Sequence, residues 1–215
     1  SPPTIDAQGP CGEVSSKNVL IQYAPVLSDR WRMAVSVENP SASYTCIPEM
    51  SEPISQRCPD IPAYVQYNPD KDSHIRVSGI FRQLSYRDML SGRNRFVTGW
   101  GMQLSGQALV GHGFTFYYSA AYGKGIAHYV NDLGGQGLDL IHSGNAGELK
   151  APGTFVFTSG LQYDFSSRFF VSASYSQCRL YGQKSLGPDA YRYGQYMVAN
   201  AFYTIVPDCM LGIEY

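Results

Sequence analysis

Five arginines, Arg32, Arg76, Arg82, Arg95 and Arg192, stand at positions that an extended chain would turn to one side. A guanidinium group stays charged at every physiological pH and grips a carboxylate or phosphate through two parallel hydrogen bonds. A set of them on one surface is a device for binding or filtering anions. Other chemistry finds less support. The histidines (His74, His112, His128, His142) show neither an HExxH motif nor a paired spacing for a metal. The cysteines (Cys11, Cys46, Cys58, Cys178, Cys209) lack the CxxC spacing of a zinc ribbon or a thioredoxin-type site. Cys46 and Cys58 bracket a polar loop, and an oxidising compartment would permit a bridge between them. Sequence does not supply the separation a bridge needs, so bridged and free forms stay equally open. No GxSxG elbow occurs. The glycine-rich "LGGQGLDL" neither follows a clear strand nor opens a clear helix, which makes it a weak phosphate cradle. Glu38, Glu214 and the remaining carboxylates cannot be paired from sequence. No catalytic site, metal or cofactor is read.

The elements that would position the arginines are strands. In "RWRMAVSVENP", Trp31, Met33, Val35 and Val37 alternate with Arg32, Ala34, Ser36 and Glu38. A two-residue period of this kind marks a half-buried β-strand. Alternation and turn signals predict ten strands, at about 17–25, 30–39, 61–67, 74–84, 95–106, 113–122, 153–163, 168–178, 191–205 and 209–215. In most of them one parity is clearly more apolar, and no helical repeat competes. Charged residues make up 15% of the chain, against roughly 25% in soluble domains, and tyrosines number 17. That composition suits a chain whose outer surface need not face water. The net charge of −1 and the lack of a basic run argue against a nucleic-acid partner.

Which parity faces inward follows from the connections and the aromatics. Tight turns alternate with longer loops along the chain, so all turns gather at one end and all loops at the other. Outer-membrane barrels have this asymmetry, with short periplasmic turns and long extracellular loops. On the apolar parity, aromatic residues cluster at both strand ends: Tyr23, Trp31, Tyr67, Phe114 and Tyr163 at the turns, Phe96, Tyr122, Phe155, Tyr175 and Tyr215 at the loops. Two aromatic belts around an aliphatic waist are what membrane interfaces select. The apolar parity is therefore assigned to lipid. The opposite parity, with Arg32, Glu38, Arg76, Arg82, Arg95 and Arg192, is assigned to a wet interior in which arginines favour anions. By the same phase both chain ends fall on the loop side. The chain then reads as the interior part of a larger single barrel domain, with strands missing at both ends.

The connection Gly123–Gly153 is too long to be idle. Its "KGIAHYVNDL" suits a helical turn or two, and an inward fold would make Lys124, His128, Asp132 and Asp139 constriction candidates. An outward cap over the barrel is the competing placement. The start "SPPTIDAQGP" has no basic or apolar leader region, so no signal peptide is read there. No apolar run approaches a membrane-spanning helix.

The stretches "GPCGEVSSKNVLIQYAPV", "VSGIFRQLSYRD", "VTGWGMQLSG", "YGKGIAHYVNDL" and "YMVANAFYTIV" together resemble the DcaP-like outer-membrane porins, in the form common among Bacteroidetes. The resemblance runs over essentially the whole chain. It implies an all-β antiparallel transmembrane β-barrel, with about ten strands present of sixteen. It further implies a homotrimer in a Gram-negative outer membrane, surrounded by lipid and lipopolysaccharide, that passes dicarboxylates and similar small anions through an arginine-bearing constriction. Five cysteines are unusual for such a porin. A barrel acting as a surface receptor or adhesin, and a soluble all-β binding module, remain as alternatives.

Overall fold

The structure is a computed structural model and describes residues 2–6, 8–111 and 113–215; His112 lies outside the described residues. Fourteen strands follow in order: β1 (Leu20–Tyr23), β2 (Trp31–Glu38), β3 (Tyr44–Thr45), β4 (Ser51–Pro53), β5 (Ile61–Tyr67), β6 (His74–Asp88) and β7 (Arg93–Leu109). They continue with β8 (Phe114–Lys124), β9 (Leu140–His142), β10 (Leu149–Lys150), β11 (Gly153–Asp164), β12 (Phe169–Tyr181), β13 (Tyr193–Val206) and β14 (Cys209–Glu214). Ten of these form one antiparallel wall in the order β1-β2-β5-β6-β7-β8-β11-β12-β13-β14. They are the ten strands that alternation predicts. The wall is a β-barrel porin fold whose end strands, β1 and β14, each have one edge without a strand partner among the described residues.

The side-chain faces of the wall are inverted relative to a soluble protein. In β2, Trp31, Met33, Val35 and Val37 are 36–48% exposed, while Ala34 and Ser36 between them are at most 6% exposed. The same contrast sets exposed Val77, Trp100, Met102 and Leu104 against buried Thr158, Ser172, Ser174, Ser176 and Asn200. An apolar outside over a hydroxyl-rich inside is stable only where the outside meets hydrocarbon. The pleat does this automatically, since register pairs like faces: Arg32 lies opposite Gln66, Gln66 opposite Arg76, and Arg76 opposite Ser105. Aromatic pairs bind neighbouring strands at the tight-turn end, with Trp31 4.8 Å from Tyr67 and Phe114 4.3 Å from Tyr163. The last turn, Pro207–Asp208, places Asp208 at φ 65°, a left-handed position that the short side chain of Asp tolerates.

Two features were not visible in the sequence. The β6–β7 connection, expected as a ten-residue loop, is a tight turn: the two strands continue past their predicted ends to Asp88 and back from Arg93. At 15 and 17 residues they exceed the 9–11 that a tilted strand needs to cross a bilayer, so this hairpin projects beyond it. The long loops, moreover, carry strands of their own. β3 pairs parallel to β9, β9 pairs with β10, and β4 docks on the projecting end of β6. Loop 39–60 and loop 125–152 thereby form one small sheet together.

Candidate functional site

The inner surface is built from the wall, the two long loops and the first residues of the chain. After Lys124 the chain turns inward in two 3-10 turns, Ala127–Tyr129 and Asn131–Leu133, where the sequence suggested a helical turn or two. Ala127, Val130, Leu133, Leu138 and Ile141 pack with Val156, Cys178 and Leu180 of the wall in one apolar cluster. The loop therefore lies inside the barrel wall and does not cap it from outside. It can approach so closely because the wall is bare there. A Cβ on Gly101 would stand 3.1 Å from Ile126 Cγ2, and one on Gly123 would stand 2.9 Å from Ile126 Cδ1. Both glycines are on the inner parity, so the side-chain-free strip is a seat for the loop.

Arg82 fastens this arrangement. Its side chain is 0% exposed and sits in the wall under both loops. Nε donates to Asp60 Oδ2 at 3.0 Å, and Nη1 donates to Asp139 Oδ1 at 3.0 Å and to the Gly125 carbonyl at 2.6 Å. Nη2 donates to the Ser41 carbonyl, and the guanidinium lies 5.0 Å from the Tyr129 ring centroid. One side chain thus holds loop 39–60 by Ser41 and Asp60, and loop 125–152 by Gly125 and Asp139. Tyr129 OH donates toward Asp60 Oδ2 at 2.9 Å and Glu38 Oε2 at 3.1 Å, tying in the end of β2. Burial pushes the Asp60 carboxyl above its usual range, with the Arg82 charge offsetting only part of that. Burial first, then the Asp60 charge, pushes the Tyr129 hydroxyl up as well.

The first residues form a strap across the inner face. Pro3 O accepts from Ser172 Oγ at 2.9 Å, Thr4 Oγ1 donates to Glu214 Oε2 at 2.5 Å, and Gly12 N donates to Ser176 Oγ at 2.8 Å. The strap then meets the inward loop, where Val14 bridges Val130, Ser15 N donates to Tyr129 O, and Asn131 N donates to Glu13 O.

The expected arginine lining divides accordingly. Arg82 does not line open space: it is consumed by its partners, and Asp139, a constriction candidate, is buried with it. Arg76 is half-buried on the inner face and donates through Nε and Nη2 to Gln66 Oε1, with Tyr64 stacked 4.4 Å away. Arg32, opposite Gln66, is exposed on the same parity. Neither Arg32 nor Arg76 has a carboxylate partner among the described residues. Arg95 is bound at 2.7 Å to Asp88 at the projecting β6–β7 hairpin, and Arg192 is exposed at the root of β13. Both are far from the Arg32–Gln66–Arg76 row along the strands. Glu38 is half-buried and accepts from Asn18 Nδ2 as well as Tyr129.

Among the loop candidates, Lys124 is exposed on the outward parity with Tyr122 and faces away from the lumen. His128 is half-buried near Ser16 Oγ, 3.3 Å from its Nε2, and Asp132 is half-buried with its carboxyl pushed up by burial. Cys46 and Cys58 are not bridged, and all five cysteines are free thiols. Sequence reading missed Asp60, Tyr129 and the whole strap. The alternating "GWG" at Gly99–Gly101, with glycine on the inner parity, is the one signal that something would lie against the wall.

No protein-family model matches the chain, and no curated protein matches its sequence. Among solved structures, the chain is similar to the outer membrane channel DcaP of Acinetobacter baumannii, with a TM-score of 0.82 at 17% sequence identity. The likeness covers 100% of this chain and 60% of that one, so the chain spans about three-fifths of the length of the channel it matches, and shares its fold.

Proposed function

We propose that this chain forms part of the wall and constriction of an outer-membrane diffusion channel for small polar solutes, with a preference for anions such as dicarboxylates. The observation that carries the reading is the inner row Arg32–Gln66–Arg76, in which two arginines free of carboxylates face the lumen of a wall whose outer face is apolar. Uncompensated guanidinium groups in a narrow wet passage raise the local concentration of anions and deter cations. Likeness in fold to a channel supports the same reading. The wall holds ten strands in 60% of the matched length, which scales to about sixteen or seventeen, and the even strand count of bacterial barrels favours sixteen. Such a barrel would sit in a bacterial outer membrane, with lipid and lipopolysaccharide against its outer face.

The test is the reversal potential of the natural full-length protein in a planar bilayer under a salt gradient. Anion selectivity that weakens in Arg76→Ala supports the proposal. Cation selectivity, or a selectivity unmoved by Arg76→Ala, counts against the arginine row. A second reading, a barrel occluded by its own loops and acting as a surface receptor, is favoured by the apolar packing of loop and strap inside the wall. It predicts no conductance in a folded preparation.

A further inference from the structure

The strap and the wall enclose a cavity of about 240 Å³ between Glu13 of the strap and strands β6, β7 and β8. Its polar lining mixes donors with acceptors: the Glu13 carboxylate accepts, while His74, Gln103, Ser105, Gln107 and Thr158 can do both. Gln103 and Gln107 each spend one amide hydrogen on a protein partner, Gln103 Nε2 on Ser119 Oγ at 2.9 Å and Gln107 Nε2 on the Asp72 carbonyl at 2.9 Å. Their carbonyl oxygens, the Glu13 carboxylate and the Ser105 hydroxyl have no hydrogen-bond partner among the described residues, and Tyr117 presents its ring at the edge of the same space. The nearest inward cation, Arg76, is directed the other way, toward Gln66 and Tyr64 of β5.

A cavity of amides and hydroxyls with one carboxylate and no guanidinium in its lining is a poor site for an anion. It fits a ligand whose groups both donate and accept hydrogen bonds, and its size accepts a sugar ring. We infer that the β6–β8 sector of the lumen is a subsite for neutral polyhydroxylated solutes, mono- or disaccharides, separate from the arginine row. The inference rests on reading this wall as the lumen of a channel. The hydroxyls of the sugar donate to Gln103, Gln107 and Glu13, while its apolar ring face covers Tyr117. An adjoining cavity of about 190 Å³ shares Val14 and Gln103 and runs up to Glu38 and Tyr129, so the subsite opens toward the constriction.

The test uses the natural full-length protein in detergent, with maltose, succinate and putrescine as probes. Saturation-transfer NMR reads binding, and ion-current block in a planar bilayer reads passage. Maltose is expected to bind saturably in the millimolar range without competition from succinate. Its half-saturation should rise about tenfold in Gln103→Leu and in Glu13→Ala, the loss of one good hydrogen bond each. The milder Ser105→Ala, expected to cost about threefold, serves where Gln103→Leu does not fold. Absence of saturable maltose binding, unchanged half-saturation in all folded variants, or tighter binding of putrescine overturns the inference. Maltose binding that responds to the variants in a protein without conductance keeps the subsite and removes the channel. Conductance without saturable maltose binding does the reverse.

Discussion

Arg82 and Arg76 are six residues apart on one strand and one face, yet their roles are opposite. Removing the Arg82 guanidinium leaves Asp60 and Asp139 buried side by side with no counter-charge. Arg82→Ala is expected to destabilise the folded protein by about 3–5 kcal/mol, read by denaturant unfolding in detergent. Because it frees both loops, the same variant should raise single-channel conductance with little change in the ratio of anion to cation permeability. Arg76→Ala gives up one amide partner and one aromatic contact, about 1 kcal/mol, and should shift the permeability ratio instead. Equal effects of the two substitutions on selectivity would undo this division. Alternation placed both arginines on the inner face. It had no means of distinguishing them, because the carboxylates that occupy Arg82 lie 22 and 57 residues away in loops with no periodicity.

The inward loop has a buried root and an exposed tip, and their titrations run against each other. At the root, burial raises the Asp132 carboxyl, and the same cause raises Asp60, which accepts from Tyr129 of that root. A carboxyl whose value is raised by docking takes up a proton on docking. Its contribution is complete below the usual carboxylate value of about 4 and is lost as pH rises through the raised one. At the tip, hydrogen bonds from Asn145 Nδ2 and Ser143 Oγ hold the Glu148 carboxyl low. That contribution is present above the usual value and is lost as pH falls through the lowered one. Acidification from neutral pH is therefore expected to raise the hydrogen-exchange protection factors, measured against the intrinsic rate at each pH, around 127–133. Around 143–149 protection is expected to fall, and only in stronger acid. Parallel trends at both ends would contradict it. The loop's seat is testable separately. Gly101→Val places methyl groups against Ile126 and Ile80, and should speed exchange at 126–133 while the wall strands keep their protection. That the loop would make helical turns was legible in "KGIAHYVNDL"; that two loops would share a sheet was not. Strands of two or three residues, such as β3 and β9, have no room to show alternation, and their pairing is fixed by distant contacts.

For the molecule as a whole, the inverted faces have a cost that depends on depth. Val35→Arg, on the outer face near mid-strand, is expected to cost about 2–4 kcal/mol, whereas Arg32→Ser on the inner face should stay within about 0.5 kcal/mol, both read by unfolding in lipid vesicles. A soluble fold would reverse that order. The wall was legible almost in full: ten strands, their faces and their neighbours all follow from a two-residue period and turn residues. What lies inside the wall was not. Strap and loops are irregular chain, held by single hydrogen bonds to a surface that sequence reads only as small and polar.

The strap has a consequence for how such a molecule comes to be built. Its hydroxyl at Thr4 meets Glu214 across a separation of 210 residues, while Asn18, beyond the strap, reaches Glu38 across only 20. Contacts that close so large a loop of chain form late, because the entropy of bringing their ends together must be overcome first. The neighbouring hairpins zip long before the strap can seat, so its residues are among the last to settle. The wall thus forms around a vacant interior, which is furnished only once that wall stands.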